Sequence, residues 1–316
     1  WVQVGEQLFV LDGETGKKLA SEKVGTVRGA ALDDGAAFLH LGNRLVQWRR
    51  RGSGLVRRWS TELKPDASAP CIFRGELYLT QGGQLFRLRP GSDKPAWSKG
   101  SNALGAPALY GNEIYSIETS GDKASLVARA RLDGREVARV QLGAGAKDGL
   151  VAVNNDLACV RVGDRWVLVR RTVEDGKLAL SRPWEVPFTE EPMLYPRSAM
   201  GFVDKERTFM LYRYHSPPKS KGVKNNKRPL VNADDRKDLL RGAAMPIALG
   251  EWFCPGLWCG NLNANRILWH LHERPERKLL EKGVSLRPVP VENDRLMVVS
   301  RDKKKILCLQ PEVIGQ

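Results

Sequence analysis

No apolar run in this chain approaches the roughly 18 residues that a membrane-spanning helix needs, so no membrane span is expected in the segment. Cysteine is sparse. The five residues Cys71, Cys159, Cys254, Cys259 and Cys308 are too scattered for a disulfide framework. Cys71, Cys159 and Cys308 sit in apolar, strand-like contexts and read as small core residues, which points to a reducing, cytoplasmic compartment. Histidine is also scarce, with four in all, and acid pairs such as Asp33-Asp34 and Glu190-Glu191 fall in turns. Nothing therefore converges on a general acid and base, and no catalytic set is expected. Acid is short relative to base: 36 Asp and Glu stand against 51 Lys and Arg, a net charge of +15. Such an excess suits an acidic partner, nucleic acid or an anionic membrane surface. It suits equally a soluble surface whose edge strands carry Lys and Arg against edge pairing, and this second explanation is preferred.

What the sequence does contain is a repeated turn and strand. Gly5 to Val10 leads through an alternating apolar strand into Leu11-Asp12-Gly13-Glu14-Thr15-Gly16-Lys17-Lys18-Leu19-Ala20. There Asp12 and Thr15 suit a hydrogen-bonded corner, and Gly13 and Gly16 supply positive φ. Turn-then-strand units recur at Gly42, Gly83, Gly121 and Gly163, with weaker copies at Asp204, Asn263 and Asp302. Counted from Gly5, the steps are 37, 41, 38, 42, 41, 59 and 39 residues. A period of about 40 with four short strands per unit predicts an all-β fold, a β-propeller of four-stranded antiparallel blades. The eight anchors favour eight blades, with seven as the alternative, in one domain over residues 1–316. The chain opens in what reads as a second strand, stops soon after a third and has no initiator Met. A segment of a longer polypeptide is therefore expected, with any signal peptide or anchor outside it.

Second corners repeat as well, at Arg51-Gly52-Ser53-Gly54, Pro90-Gly91-Ser92-Asp93, Leu132-Asp133-Gly134-Arg135 and Glu174-Asp175-Gly176-Lys177. With the Asp12 to Lys17 corner, these make the chain resemble the pyrroloquinoline-quinone-type β-propeller repeat family. That family's corner reads Asp-x-x-Thr-Gly-Lys-x-x-Trp. Only the first copy keeps Thr-Gly-Lys, and Ala20 stands where the family favours Trp. The resemblance covers nearly the whole chain and implies a fold, not an activity. The family's quinone-dependent dehydrogenases need an adjacent cysteine pair and a calcium ligand set, and no Cys-Cys pair occurs here. Its outer-membrane assembly lipoproteins imply that such repeats serve purely as scaffolds, and that precedent allows a periplasmic location.

Four stretches are candidate sites. Arg49, Arg50 and Arg51, with Arg57 and Arg58 on the same hairpin, form a phosphate-binding rim interleaved with Trp48 and Trp59, or else a solvated edge over two packing tryptophans. The latter is preferred. Gly143 to Gly149 looks like a phosphate loop, but lacks the Gly-Lys-Ser/Thr ending and a following helix, and is taken as an inter-blade linker. An insertion at 213–241 carries Lys219, Lys221, Lys224, Lys227 and Arg228 with no acid among them. It ends in a short predicted helix begun at Asn232 and stopped by Gly242. Finally, Cys254 and Cys259 with His270 and His272 offer four zinc-type donors, though at a spacing unlike standard zinc ribbons.

The expected function is a non-catalytic propeller scaffold that binds protein partners within a larger chain or assembly and needs no cofactor. The alternatives are a nucleic-acid-binding propeller that uses the basic insertion and a degenerate quinoprotein dehydrogenase.

Overall fold

Short strands separated by glycine-containing turns dictate antiparallel meanders, and the computed structural model consists of these. It describes residues 1–12, 16–33, 35–92, 94–100, 102–144, 149, 151–153, 157–181 and 183 with most of their side chains. Beyond 183 it describes strand backbones alone. All regular elements among the described residues are strands.

The first unit comprises Trp1–Leu11 and Lys18–Glu185, and the second Asp12–Lys17 and Val186–Gln316. In the first unit, sheet one contains β1 (Val2–Val4), β2 (Gln7–Leu11) and β3 (Lys18–Lys23). Sheet two contains β4 (Val27–Asp33), β5 (Ala36–Leu41), β6 (Arg44–Arg51) and β7 (Gly54–Glu62). Sheet three is β8 (Cys71–Phe73), β9 (Glu76–Gln81), β10 (Gln84–Leu88) and β11 (Trp97–Lys99). Sheet four is β12 (Ala103–Tyr110), β13 (Glu113–Ser120), β14 (Lys123–Ala130) and β15 (Glu136–Ala144). Sheet five has β16 (Val151–Val153), β17 (Leu157–Val162), β18 (Arg165–Glu174) and β19 (Lys177–Leu180), and β20 (Trp184–Val186) also pairs with β18.

The described strands of the second unit form three further antiparallel sheets. One contains β21 (Met193–Tyr195), β22 (Ala199–Val203), β23 (Phe209–Arg213) and β24 (Arg228–Pro229). The next contains β25 (Ile247–Leu249), β26 (Trp252–Cys254), β27 (Trp258–Asn261) and β28 (Arg266–His270). The last contains β29 (Val289–Val291), β30 (Arg295–Val299) and β31 (Ile306–Leu309).

The glycine anchors at 42, 83, 121 and 163 each turn the chain from the second to the third strand of a sheet. Asn263 does not. It lies between the third and fourth strands, β27 and β28, one hairpin later than the other anchors. The Pro255-Gly256 pair falls in the connection from β26 to β27, so the long step of 59 combines an insertion with this offset. The second set of corners closes third-to-fourth-strand hairpins in sheets two to five. The basic insertion opens at the equivalent connection of the sixth sheet, between β23 and β24. The predicted helix at 232–241 lies outside the described residues.

Packing in the first unit follows from strands that are apolar on both faces. In β5, Ala36 and Phe38 face one cluster with Leu45, Leu77 and Leu79, whereas Ala37 and Leu39 face another with Leu8 and Ala20. Sheet two is thus covered by sheet one on one side and sheet three on the other. Tyr78, Leu85 and Ile114 join sheets three and four, and Tyr115, Ile117, Leu126, Val160 and Val167 join four and five. The second strands of sheets two to five, β5, β9, β13 and β17, are therefore near-continuous buried runs instead of alternating ones, the pattern expected when both faces are covered. Cys159 is fully buried, and burial pushes the half-buried Cys71 thiol up to about 12. Both behave as the core residues the sequence suggested.

The Gly143 to Gly149 stretch spans the connection from β15 to β16, as expected of a linker. Its last glycine is there for space. A Cβ on Gly149 would lie 1.8 Å from the Leu104 carbonyl oxygen, and one on Gly105 would lie 2.4 Å from the Gly149 carbonyl oxygen. Gly105 has φ +62 at the bulge of β12, and its carbonyl accepts a 2.6 Å hydrogen bond from the Thr80 hydroxyl. Gly121 has a similar φ of +60 but open space around it. Gly121→Ala should cost about 1 kcal/mol from backbone strain alone. Gly105→Ala should cost about 3 kcal/mol, because overlap with the linker backbone is added. Denaturation midpoints of the two variants check this ordering.

Candidate functional site

In a four-stranded meander the first and third turns lie at one edge of the sheet and the second turn at the other. The second-turn edges are closed by polar backbone contacts. Asp66 Oδ2 accepts from Gly82 N at 2.6 Å, Gln81 Oε1 from Lys64 N at 3.0 Å, and Asn102 and Thr119 bond each other. The opposite, odd-turn edges of sheets two to five lie side by side. A Cβ on Gly75 would come 3.8 Å from Asp33 Oδ2, Arg87 donates to the Leu132 carbonyl, and Arg171 reaches Glu113.

This edge is built from charge placed inside strands. Glu76 opens β9 and is engaged by the Arg87 guanidinium, by Arg89 Nε at 3.2 Å and by the Tyr78 hydroxyl at 3.1 Å. Burial raises the Glu76 carboxyl, but the Arg87 hydrogen bond and charge, with Arg89 and Tyr78, outweigh it and hold the group below its ordinary value. Burial, reinforced by the Glu76 charge, pushes the Tyr78 phenol up to about 12. The next junction repeats the device across sheets. Arg171 of β18 donates to Glu113 Oε2 at 2.9 Å and to the Tyr115 hydroxyl, and lies 4.8 Å from the Tyr110 ring centre.

Within sheet four a buried network runs from β13 to β15. Glu118, 3% exposed, takes Arg129 at 2.8 Å on one oxygen and Arg139 at 2.8 Å on the other, and Glu136 closes the set. Hydrogen bonding from Arg139 outweighs desolvation and holds the Glu136 carboxyl below its usual value. In sheet two, His40 is buried with Nε2 unbonded among the described residues. Burial lowers its pKa, and the Arg28 charge adds to that.

The same edge also carries the exposed apolar side chains. Leu32 of β4 is 50% exposed, Leu132 in the β14–β15 turn 78%, and Val173 near the end of β18 55%. These are all the exposed large hydrophobic residues among those described, and each stands within two residues of an odd turn. Between sheets three and four the edge holds a cavity of about 390 Å³, lined by Glu76, Arg87, Asn112, Ala130, Arg131 and Leu132.

Of the residues singled out from the sequence, Arg49, Arg50 and Arg51 are exposed at the β6–β7 hairpin, also an odd turn. Arg50 Nε donates to Gly52 O at 2.8 Å. Trp48 packs into the cluster shared with sheet one and Trp59 into that shared with sheet three. The tryptophans thus go to the core on opposite faces and leave a solvated arginine edge. Arg228 opens β24 opposite Arg213, whereas Lys219, Lys221, Lys224 and Lys227 lie outside the described residues. Register places His270 across from Trp258 and Cys259 across from Trp269, with Cys254 on the neighbouring strand. His272 lies outside the described residues.

What the sequence reading passed over is the set of charged residues within apolar strands. Their signal was present: Glu76-Leu77-Tyr78 and Glu113-Ile114-Tyr115 repeat one pattern, and Arg87 is flanked by Phe86 and Leu88. A charge in such a run is buried at a cost unless paired.

Two outcomes follow. Glu118→Gln leaves Arg129 and Arg139 underpaired and should cost about 3–5 kcal/mol, whereas Glu62→Gln at the exposed Arg44 pair should cost less than about 1 kcal/mol. Equilibrium denaturation separates them. The pH dependence has a defined sign. A buried neutral His40 binds fewer protons folded than unfolded, so its contribution fades as pH falls below about 6.5. The depressed carboxyls of Glu76 and Glu136 contribute above the unfolded carboxyl pKa, and that contribution is lost on falling from about 4.3 through their folded values. Midpoints measured from pH 8 to 3 should decline in both windows, and His40→Leu should flatten the first.

No family model matches this chain. No curated protein sequence matches it either. Solved structures do resemble it. BamB from Moraxella catarrhalis is 15% identical with a TM-score of 0.57, over 96% of this chain and 89% of that one. AztD from Citrobacter koseri is 12% identical with a TM-score of 0.58, over 97% of this chain and 89% of that one. Both are β-propeller proteins. At such identities the likeness concerns the fold, and it agrees with an all-β chain of antiparallel, mostly four-stranded sheets.

Proposed function

We propose that this chain is a non-catalytic β-propeller scaffold of the pyrroloquinoline-quinone-type repeat, its eight sheets serving as blades, and that it binds protein partners through its odd-turn edge. The observation that carries this reading is the segregation of exposed apolar side chains. Leu32, Leu132 and Val173 come from three different sheets, yet all stand at that edge. Exposed apolar groups gathered together and ringed by charge are characteristic of interaction surfaces. The exposed Arg49 to Arg51 hairpin adds a cationic margin that favours an acidic partner surface. In the second unit, the basic connection between β23 and β24 is a separate candidate for partner binding.

The test is affinity purification from the native source with and without nuclease, using the wild-type chain and the Leu132→Asp, Val173→Asp double variant. The expected result is a defined, nuclease-resistant set of proteins that the double variant loses while its thermal midpoint stays within a few degrees of wild type. Partners retained by the double variant, or association abolished by nuclease, would overturn the proposal.

A further inference from the structure

The two junctions that close sheets three to five use the same parts but balance their charge differently. At the junction of sheets four and five, the arginine lying over the aromatic residue at the end of the first strand is neutralised: Arg171 sits over Tyr110 and pairs with Glu113. At the junction of sheets three and four, the arginine in that place is Arg131, 3.8 Å from the Phe73 ring centre. The acid equivalent to Glu113 is Glu76, and it is already committed to Arg87 and Arg89. Arg131 has Nη2 bonded to Asn112 Oδ1 at 3.1 Å, its Nε is buried without a partner, and no acid pairs with it among the described residues.

Arg131 is nevertheless held in place. Its amide donates to Asn112 O at 2.9 Å, and its carbonyl accepts from Trp97 Nε1 at 3.1 Å. It lines the 390 Å³ cavity, where Arg87 and Arg131 stand against the single lining acid Glu76, which Arg89 also engages. Arg74 lies on the same Phe73 ring, 5.2 Å from its centre. A guanidinium fixed over an aromatic ring, with no acid paired to it among the described residues, is a site for an oxyanion.

We infer that the cavity between sheets three and four is a binding site for a carboxylate presented by a partner polypeptide, with Arg131 as its counter-ion and Leu132 packing on an adjacent apolar residue. A carboxylate fits better than a phosphate because Glu76 already lines the wall and repels a dianion. Of the lining residues, Ala130 and the exposed Leu132 are apolar and suit a hydrophobic neighbour. This inference rests on the protein-scaffold reading and gives it a recognition chemistry.

The probe is a labelled, acetylated and amidated hexapeptide alternating glutamate with leucine, titrated against the full chain by fluorescence anisotropy. Its glutamine counterpart, a version with a free C-terminal carboxylate and inorganic phosphate serve as competitors. The acidic peptide is expected to bind, with the glutamine peptide at least tenfold weaker. Arg131→Gln should weaken binding at least tenfold and Arg131→Lys by less, while Lys123→Gln, at the exposed second turn of sheet four, changes it less than twofold. Stronger competition from the free carboxylate would assign the site to a chain terminus, within the same inference. Equal binding of both peptides, full affinity in a stably folded Arg131→Gln chain, or phosphate competing better than any peptide would overturn it. If native partners are lost with Leu132→Asp but kept with Arg131→Gln, the scaffold reading stands and this inference fails. If neither variant loses them, both fail.

Discussion

The first unit depends on burying both faces of every middle strand. A meander such as β12 to β15 has Tyr115 and Ile117 on one face and Ile114 on the other, and it is stable only when another sheet covers each side. At roughly 25 cal/mol per Å² of apolar surface, leaving one face open would forfeit more than the net stability of a domain. The sheets must therefore stack. Stacking consumes the faces and leaves turn edges as the surface free to vary. The second-turn edge is spent on backbone contacts, and the odd-turn edge is where apolar and cationic side chains are left exposed.

Charge inside this stack is tolerated only where it is paired, and the pairing doubles as glue between repeats. Arg171 crosses from sheet five to sheet four, and Arg87 crosses from sheet three to the Leu132 carbonyl of sheet four. Such pairs add little net stability compared with apolar packing but are costly to break singly. They fix how successive sheets register against one another. Where the set is complete, as at Arg171, the junction is closed. Where the acid is used up within its own sheet, as at Glu76, a cation is left facing a cavity.

The fold was legible because turns carry their own chemistry. Gly5, Gly42, Gly121 and Gly163 all adopt φ between 57 and 64, so one backbone need recurs as one residue type. The period was lost at Asn263, which falls between the third and fourth strands of its sheet where the other anchors fall between the second and third. The candidate site was less legible. Runs such as Arg49-Arg50-Arg51 stand out in a sequence, yet a run says nothing about neutralisation. Arg131 lies in plain Arg129-Ala130-Arg131, and its distinction from Arg129 is spatial. Arg129 meets Glu118 across one strand pair, while the acid that Arg131 lacks is 55 positions away in another sheet. Which base meets which acid is decided by register and by stacking, and neither can be counted along a chain.

If the odd-turn edge of sheets two to five is the working surface, a bound partner must cover it. Hydrogen–deuterium exchange, comparing the chain alone with the chain co-purified in its native complex, tests it most directly. Protection is expected at 73–76, 111–113, 131–135 and 173–176. Protection confined to the second turns at 42–43, 82–83, 121–122 and 163–164 would contradict it.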